Sequence, residues 1–276
     1  MRIDPFAGHV SPIIVVGMHR SGTSAVSRLL HAAGINMGRR QDTNAESLFF
    51  LRINHWLLSQ CGASWTNVDQ IPALLAEHIN VLEPIVQRRV QSIASIEHFG
   101  VSRSPAPWGF KDPRTSMLHP LYQRIFPTAR FVLVSRHGVD VAASLRRRSL
   151  SSRALVGHGS TVPLFGARQP RSHRLQNVLV ASDLGRNFAL WEDYQRELAV
   201  LESQVDLARV HRIRFEDLVR DPDAQLRSLS AFVGAPVRDT GLIAQRAFAF
   251  EQSPELVDFA RAKVASLATY GYGEGL

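Results

Sequence analysis

A single cysteine, Cys61, in 276 residues rules out an intramolecular disulfide framework and a cysteine-rich zinc site. No apolar run nears the roughly 20 residues of a membrane-spanning helix, and no signal-peptide shape precedes the first apolar segment. The expectation is a chain with no transmembrane segment in a reducing, cytoplasmic setting. Cys61 ends an apolar helical pattern, which reads as packing rather than as a nucleophile. RNP-type aromatic motifs, zinc-finger spacing and a basic helix are also missing, so nucleic acid is not an expected partner. No ligand cluster for a metal is found, and no repeat or linker divides the chain. One domain over residues 1–276 is expected.

What is present is a net charge of +8, which favours anionic partners. The chain is organised around Pro12–Ser24. Ile13-Ile14-Val15-Val16 reads as a buried parallel strand, a turn bounded by Gly17 and Gly22 follows, and Ala25–Ala33 has helical spacing with Gly34 as its stop. Strand, glycine turn and helix make a phosphate cradle, because the first backbone N–H groups and the helix dipole both point at an anion. The spacing is that of a nucleoside triphosphate loop, but Thr23 stands where that loop carries lysine, and the cation inside the turn is Arg20.

The stretch Gly17-Met18-His19-Arg20-Ser21-Gly22-Thr23-Ser24 resembles the 5′-phosphosulfate loop of sulfotransferases that use 3′-phosphoadenosine 5′-phosphosulfate (PAPS). Trp108–Arg114 contains Lys111-Asp112-Pro113, which is similar to the strand end where that family keeps a lysine near the transferring sulfuryl group. Arg130–Arg136 reads as a second buried strand, and Arg136 and Ser144 have the eight-residue separation of the family's 3′-phosphate ligands. Phe215-Glu216-Asp217-Leu218 followed by Asp221-Pro222 is a fourth stretch of likeness, with phenylalanine where some relatives have a nucleotide-contacting tyrosine.

The resemblance implies an α/β, three-layer fold, a central parallel sheet flanked by helices. It implies PAPS as cosubstrate, adenosine 3′,5′-bisphosphate as product, and no metal. His19, Arg20, Ser21, Gly22, Thr23, Ser24, Arg136 and Ser144 would bind the nucleotide. Arg20 and Lys111 would neutralise the leaving oxygen, and Arg114 would hold an anionic acceptor or the sulfuryl oxygens. Cytosolic relatives carry Lys-x-His at the second stretch, with histidine as base; here Pro113 stands in its place, so the base must come from elsewhere. Glu46 has two readings: the carboxylate of a capping box with Thr43 at the head of a helix running to Cys61, or the general base.

Residues 70–99 read as one amphipathic helix kinked or split at Pro84. Residues 146–174 carry Arg146, Arg147, Arg148, Arg153, Arg168, Arg171 and Arg174 with no Asp or Glu, which reads as a basic mobile loop and a candidate lid. His55, Trp56 and Trp65 are assigned no chemistry. The expected reaction is sulfuryl transfer to a hydroxyl or amine of a small-molecule or glycan acceptor. The alternatives are a P-loop kinase or NTPase, and an inactive PAPS- or glycan-binding protein of the same fold.

Overall fold

Ile13–Val16 (β1) is β-branched throughout and wholly buried, as a strand covered on both faces must be. The computed structural model describes residues 11–100, 106–156, 161–164, 167–170, 181–239, 241 and 248–273. Besides β1 its strands are β2 (Gly109–Lys111), β3 (Arg130–Ser135), β4 (Thr161–Leu164), β5 (Ala167–Pro170) and β6 (Val210–Arg214). β2-β1-β3-β6 form a four-stranded sheet whose neighbours are all parallel, with Ile14 in register with Phe110 and Phe131. This is the expected parallel sheet between helical layers.

Strand residues alternate between the two faces. Ile13, Val15, Val132, Val134 and Ile213 form one core with Val26, Leu29 and Leu30 of α1 (Thr23–Ala32). Leu226, Leu229 and Val233 complete it. On the other face Phe110 stacks on Phe50 of α2 (Leu48–Gln60) at 3.6 Å between ring centroids. Phe99, Trp108, Tyr122 of α5 (Thr115–Ile125) and Phe126 continue this aromatic cluster. Each such ring withdrawn from water is worth about 1.5–3 kcal/mol, so β2, only three residues long, is fixed by its neighbours more than by its ladder.

The chain divides into two units, one of residues up to Ser135 with Tyr194–Ala247, the other of Arg136–Asp193 with Phe248 onward. In the second, the missing Cβ of Gly138 lets the rings of Phe188 and Trp191 approach; an added carbon would lie 2.8 Å from them. Trp191 donates its indole N–H to the Arg136 carbonyl at 3.0 Å. His137 stacks on Phe250, with ring centroids 4.2 Å apart.

Three expectations change. Residues 70–99 are two helices, α3 (Ile71–Val90) and α4 (Ile93–Phe99), and Pro84 lies inside the first. The break falls at Ser92, whose extended backbone (φ −96°, ψ 164°) ends the helical path. The basic stretch 146–174 is in part regular: helix continues to Val156, and β4 and β5 pair antiparallel. Its residues 157–160, 165–166 and 171–174 lie outside the described residues. The helix expected over Thr43–Cys61 begins only at Leu48. Among the described residues no helix is long and apolar enough to cross a membrane.

Candidate active site

The glycine turn after β1 is forced by close approach. Gly17 has φ 145°, and a Cβ there would stand 2.2 Å from the Val134 carbonyl oxygen. Gly22 has φ 94° and faces the Phe215 ring, which a Cβ would meet at 2.3 Å. Between them Arg20, exposed, takes φ 73°, a left-handed conformation that costs a non-glycine residue roughly 1 kcal/mol. Gly22 is the N-cap of α1 and gives no side-chain cap; the Ala25 N–H turns back to the Gly22 carbonyl at 2.9 Å, which leaves the N–H groups of Thr23 and Ser24 as the ones a helix start offers to an external acceptor. Ser21 is fully buried, and its hydroxyl has no hydrogen-bond partner among the described residues.

Glu46 is not a cap. The turn before it is made by Asp42, which accepts the N–H groups of Asn44 (2.9 Å) and Glu46 (2.8 Å). Ala45, at φ 57°, breaks any helical path. α1 grips this turn: Ser24 donates to the Asn44 carbonyl at 2.7 Å and Arg28 to that of Thr43 at 2.7 Å. The Glu46 carboxylate is thereby turned inward, 3% exposed. It accepts from Arg114 at 3.0 Å and Lys111 at 3.4 Å, with His19 Nδ1 4.0 Å away. Trp65 lies against that histidine, 4.7 Å between ring centroids.

Burial, followed by the charge of Asp112, pushes the Glu46 pKa up against the pull of Lys111 and Arg114. Burial pulls the Lys111 pKa down, opposed by Glu46, Asp112 and Asp42. The low-dielectric setting therefore draws both members of this ion pair toward their neutral forms. Asp112, fully buried, accepts from Arg114 at 2.7 Å and from Asn54 at 3.0 Å. Asn54 is itself fixed by the Tyr122 hydroxyl at 2.6 Å. A buried charge held by hydrogen bonds on both oxygens is a rigid support.

Arg136 follows the last residue of β3, and α6 (Gly138–Val156) begins two residues later. The Arg136 guanidinium, 8% exposed, donates to Asp140 at 3.0 Å. Asp140 also accepts the Phe250 N–H at 2.9 Å. Ser144 lies two turns along α6 and is 6% exposed.

Of the expected site residues, the structure thus brings His19, Glu46, Lys111 and Arg114 into one cluster, and Arg20, Ser21, Gly22, Thr23 and Ser24 onto one turn. Arg136 and Ser144 belong to the second unit. The Ser24 hydroxyl secures the Asp42–Glu46 turn through the Asn44 carbonyl. Sequence reasoning passed over Asp42, Asn54, Tyr122 and Asp140. Only Asp140 had a readable signal, an acid four residues after an arginine at a helix start. Among the described residues no group of His, Cys, Asp or Glu is arranged to hold a metal.

A sequence model described as the sulfotransferase family matches residues 12–239. No curated protein matches the chain. Among solved structures, sulfotransferase STF9 from Mycobacterium avium is 14% identical, with a TM-score of 0.54 over 97% of this chain and 79% of that one. A sulfotransferase from Alicyclobacillus acidocaldarius is 15% identical, with a TM-score of 0.52 over 95% of this chain and 92% of that one.

Proposed function

This chain belongs to the sulfotransferase family, and on that premise we propose that it transfers the sulfuryl group of PAPS to a hydroxyl or amine acceptor, a small molecule or a glycan. The observation that carries the reading is the buried Glu46–Lys111–Arg114 cluster, whose glutamate stands beside His19 of the glycine turn. The unpartnered Ser21 hydroxyl, the uncapped start of α1 and the glycines that admit close approach fit an anionic phosphosulfate there. PAPS, when bound, supplies an activated sulfuryl group whose leaving portion is adenosine 3′,5′-bisphosphate.

Glu46 is the base that takes the acceptor's proton, and its raised pKa makes it a stronger base than an ordinary glutamate. Arg114 and Lys111 fix its carboxylate in one orientation. Once Glu46 is protonated, Lys111 loses its counter-charge, and its full cation is offered to the oxygen that becomes negative on the leaving side. Arg20 and the backbone of residues 20–24 hold the 5′ end of the nucleotide; Arg136 and Ser144 take its 3′-phosphate. A single cysteine suits a cytoplasmic setting.

The test uses radiolabelled PAPS with a metabolite extract as acceptor source. Glu46→Gln is expected to lower kcat about 100- to 10,000-fold while PAPS affinity stays at the wild-type value. Normal turnover by the variant removes Glu46 from the mechanism. Phosphoryl transfer from ATP with magnesium, in place of sulfuryl transfer, would return the chain to the kinase reading.

A further inference from the structure

A concave site apart from the Glu46 cluster lies at the head of α2. It is a cavity of about 190 Å³ lined by Arg40, Arg52, Arg89 and His98, with Phe49 and Glu97 at its wall. We propose that this pocket binds an oxyanion group: a carboxylate, sulfate or phosphate. The volume decides between a whole ligand and a group. Sites for drug-sized molecules run from about 300 Å³ upward, so this one takes the charged end of a molecule or a small free ion.

Three arginines and one glutamate line the cavity. Arg40 and Arg52 are exposed and form no ion pair among the described residues. Arg89 lies over the Phe49 ring, its guanidinium carbon 5.5 Å from the centroid, which holds it at the wall. Like charges gathered at one concavity repel and focus their field into it, and an anion relieves that repulsion. Arginine also offers paired N–H donors that match the planar edge of a carboxylate or two oxygens of a sulfate.

The floor is built rather than open. His98, 5% exposed, sits 2.9 Å from the Ser47 hydroxyl, and the Cβ-less Gly38 (φ 93°) lets its ring in; an added carbon would stand 2.2 Å from Nε2. Burial, with Arg40 and Arg52, lowers the His98 pKa to about 4, so both arginines exert their charge on this floor. The Arg40 backbone carbonyl accepts the Leu48 N–H at 3.0 Å, which ties the main chain of Arg40 to the start of α2. Ser47 in turn donates its N–H to the Lys111 carbonyl at 3.2 Å, so the floor and the Glu46–Lys111 cluster share one length of backbone. The pocket stands on its own geometry, whether or not the chain transfers sulfuryl groups.

The occupant's oxyanion has two sources, a free ion or the anionic group of a larger acceptor, and one experiment separates them. Arginine side-chain N–H signals and the His98 ring signals of the full chain are followed by NMR, with adenosine 3′,5′-bisphosphate present at saturation. Inorganic sulfate, glucose 6-sulfate and glucose are titrated in turn. Because signals are read residue by residue, filling of the glycine turn is recorded separately. Sulfate is expected to move Arg52, Arg89 and His98, glucose to move none, and the double variant R52Q/R89Q to weaken sulfate binding about tenfold or more. Equal affinity for both sulfates identifies a free ion; binding of glucose 6-sulfate tighter by about tenfold identifies a group on a larger acceptor. Both replaced side chains are exposed, so the variant is expected to melt with the wild type. Stationary signals at these residues, or the same shifts in the variant, overturn the site.

Discussion

On the proposed function, the groups that Gly17–Ser24 would offer an anion are chiefly backbone amides shaped by glycine, whereas those of Arg136–Ser144 would be side chains, and the Arg136 guanidinium is already matched to Asp140 at 3.0 Å. The first arrangement has no slack: its geometry is set by how near the main chain of β3 and the ring of Phe215 come. The second is adjustable, since its strength depends on how far one carboxylate compensates one guanidinium. Shape governs the one and charge the other, and they should respond to different substitutions.

The largest effect is expected from Gly17→Ala. A Cβ placed 2.2 Å from a backbone oxygen cannot be relieved by a side-chain rotation, so the loss is about 3 kcal/mol or more. Calorimetry should show a melting temperature lower by about 6 °C or more, with binding of adenosine 3′,5′-bisphosphate lost. An alanine variant that melts and binds normally would end the distinction. Arg136→Ala comes next. It should weaken adenosine 3′,5′-bisphosphate binding about 10- to 100-fold while leaving adenosine 5′-phosphosulfate, which lacks the 3′-phosphate, unaffected. Equal loss for both ligands would show that Arg136 does not read that phosphate.

A pH profile of kcat/KM tests the buried cluster. Because the Glu46 pKa is raised, chiefly by burial, its proton returns at a higher pH than for an ordinary glutamate. The acid limb of the rate should therefore begin above the usual carboxylate range. Stability moves the other way: the folded state takes up that proton first, so this group's contribution grows as pH falls through the folded pKa and is lost above it. An acid limb at the ordinary glutamate position would refute the raised value. The smallest effect belongs to Asp140→Asn, which removes the charge opposing an anion at Arg136. Titration calorimetry should show nucleotide affinity higher by a few-fold, with a melting temperature lower by a few degrees, since a buried guanidinium loses its counter-ion. Unchanged affinity would mean that the aspartate does not regulate the arginine's charge.

The sheet was legible because β1, β3 and their flanking glycines are continuous apolar runs with clear ends, and such runs depend little on distant partners. Lys111 and Arg114 were legible from one four-residue stretch, Lys111-Asp112-Pro113-Arg114. Glu46 was only half legible: Thr43 and Glu46 have capping-box spacing, yet Asp42 takes the backbone N–H groups and frees the carboxylate for partners 65 and 68 residues away. Local pattern cannot report such a contact. The arginine run misled for a different reason. Arg147 and Arg148 lie on the exposed side of α6 while Leu145 and Ser149 face inward, so high charge marked a helix surface rather than a loop. The basic pocket went unnoticed because Arg40, Arg52, Arg89 and His98 come from four separate places in the chain.

The left-handed backbone of Arg20 has a consequence for anyone who breeds this protein for heat tolerance. Glycine or asparagine at that position would relax φ 73° at little steric expense, so laboratory selection on survival alone should drift there early. Such lineages would melt later yet lose the cation proposed to meet the nucleotide, and on that proposal robustness and turnover would part company at a single codon.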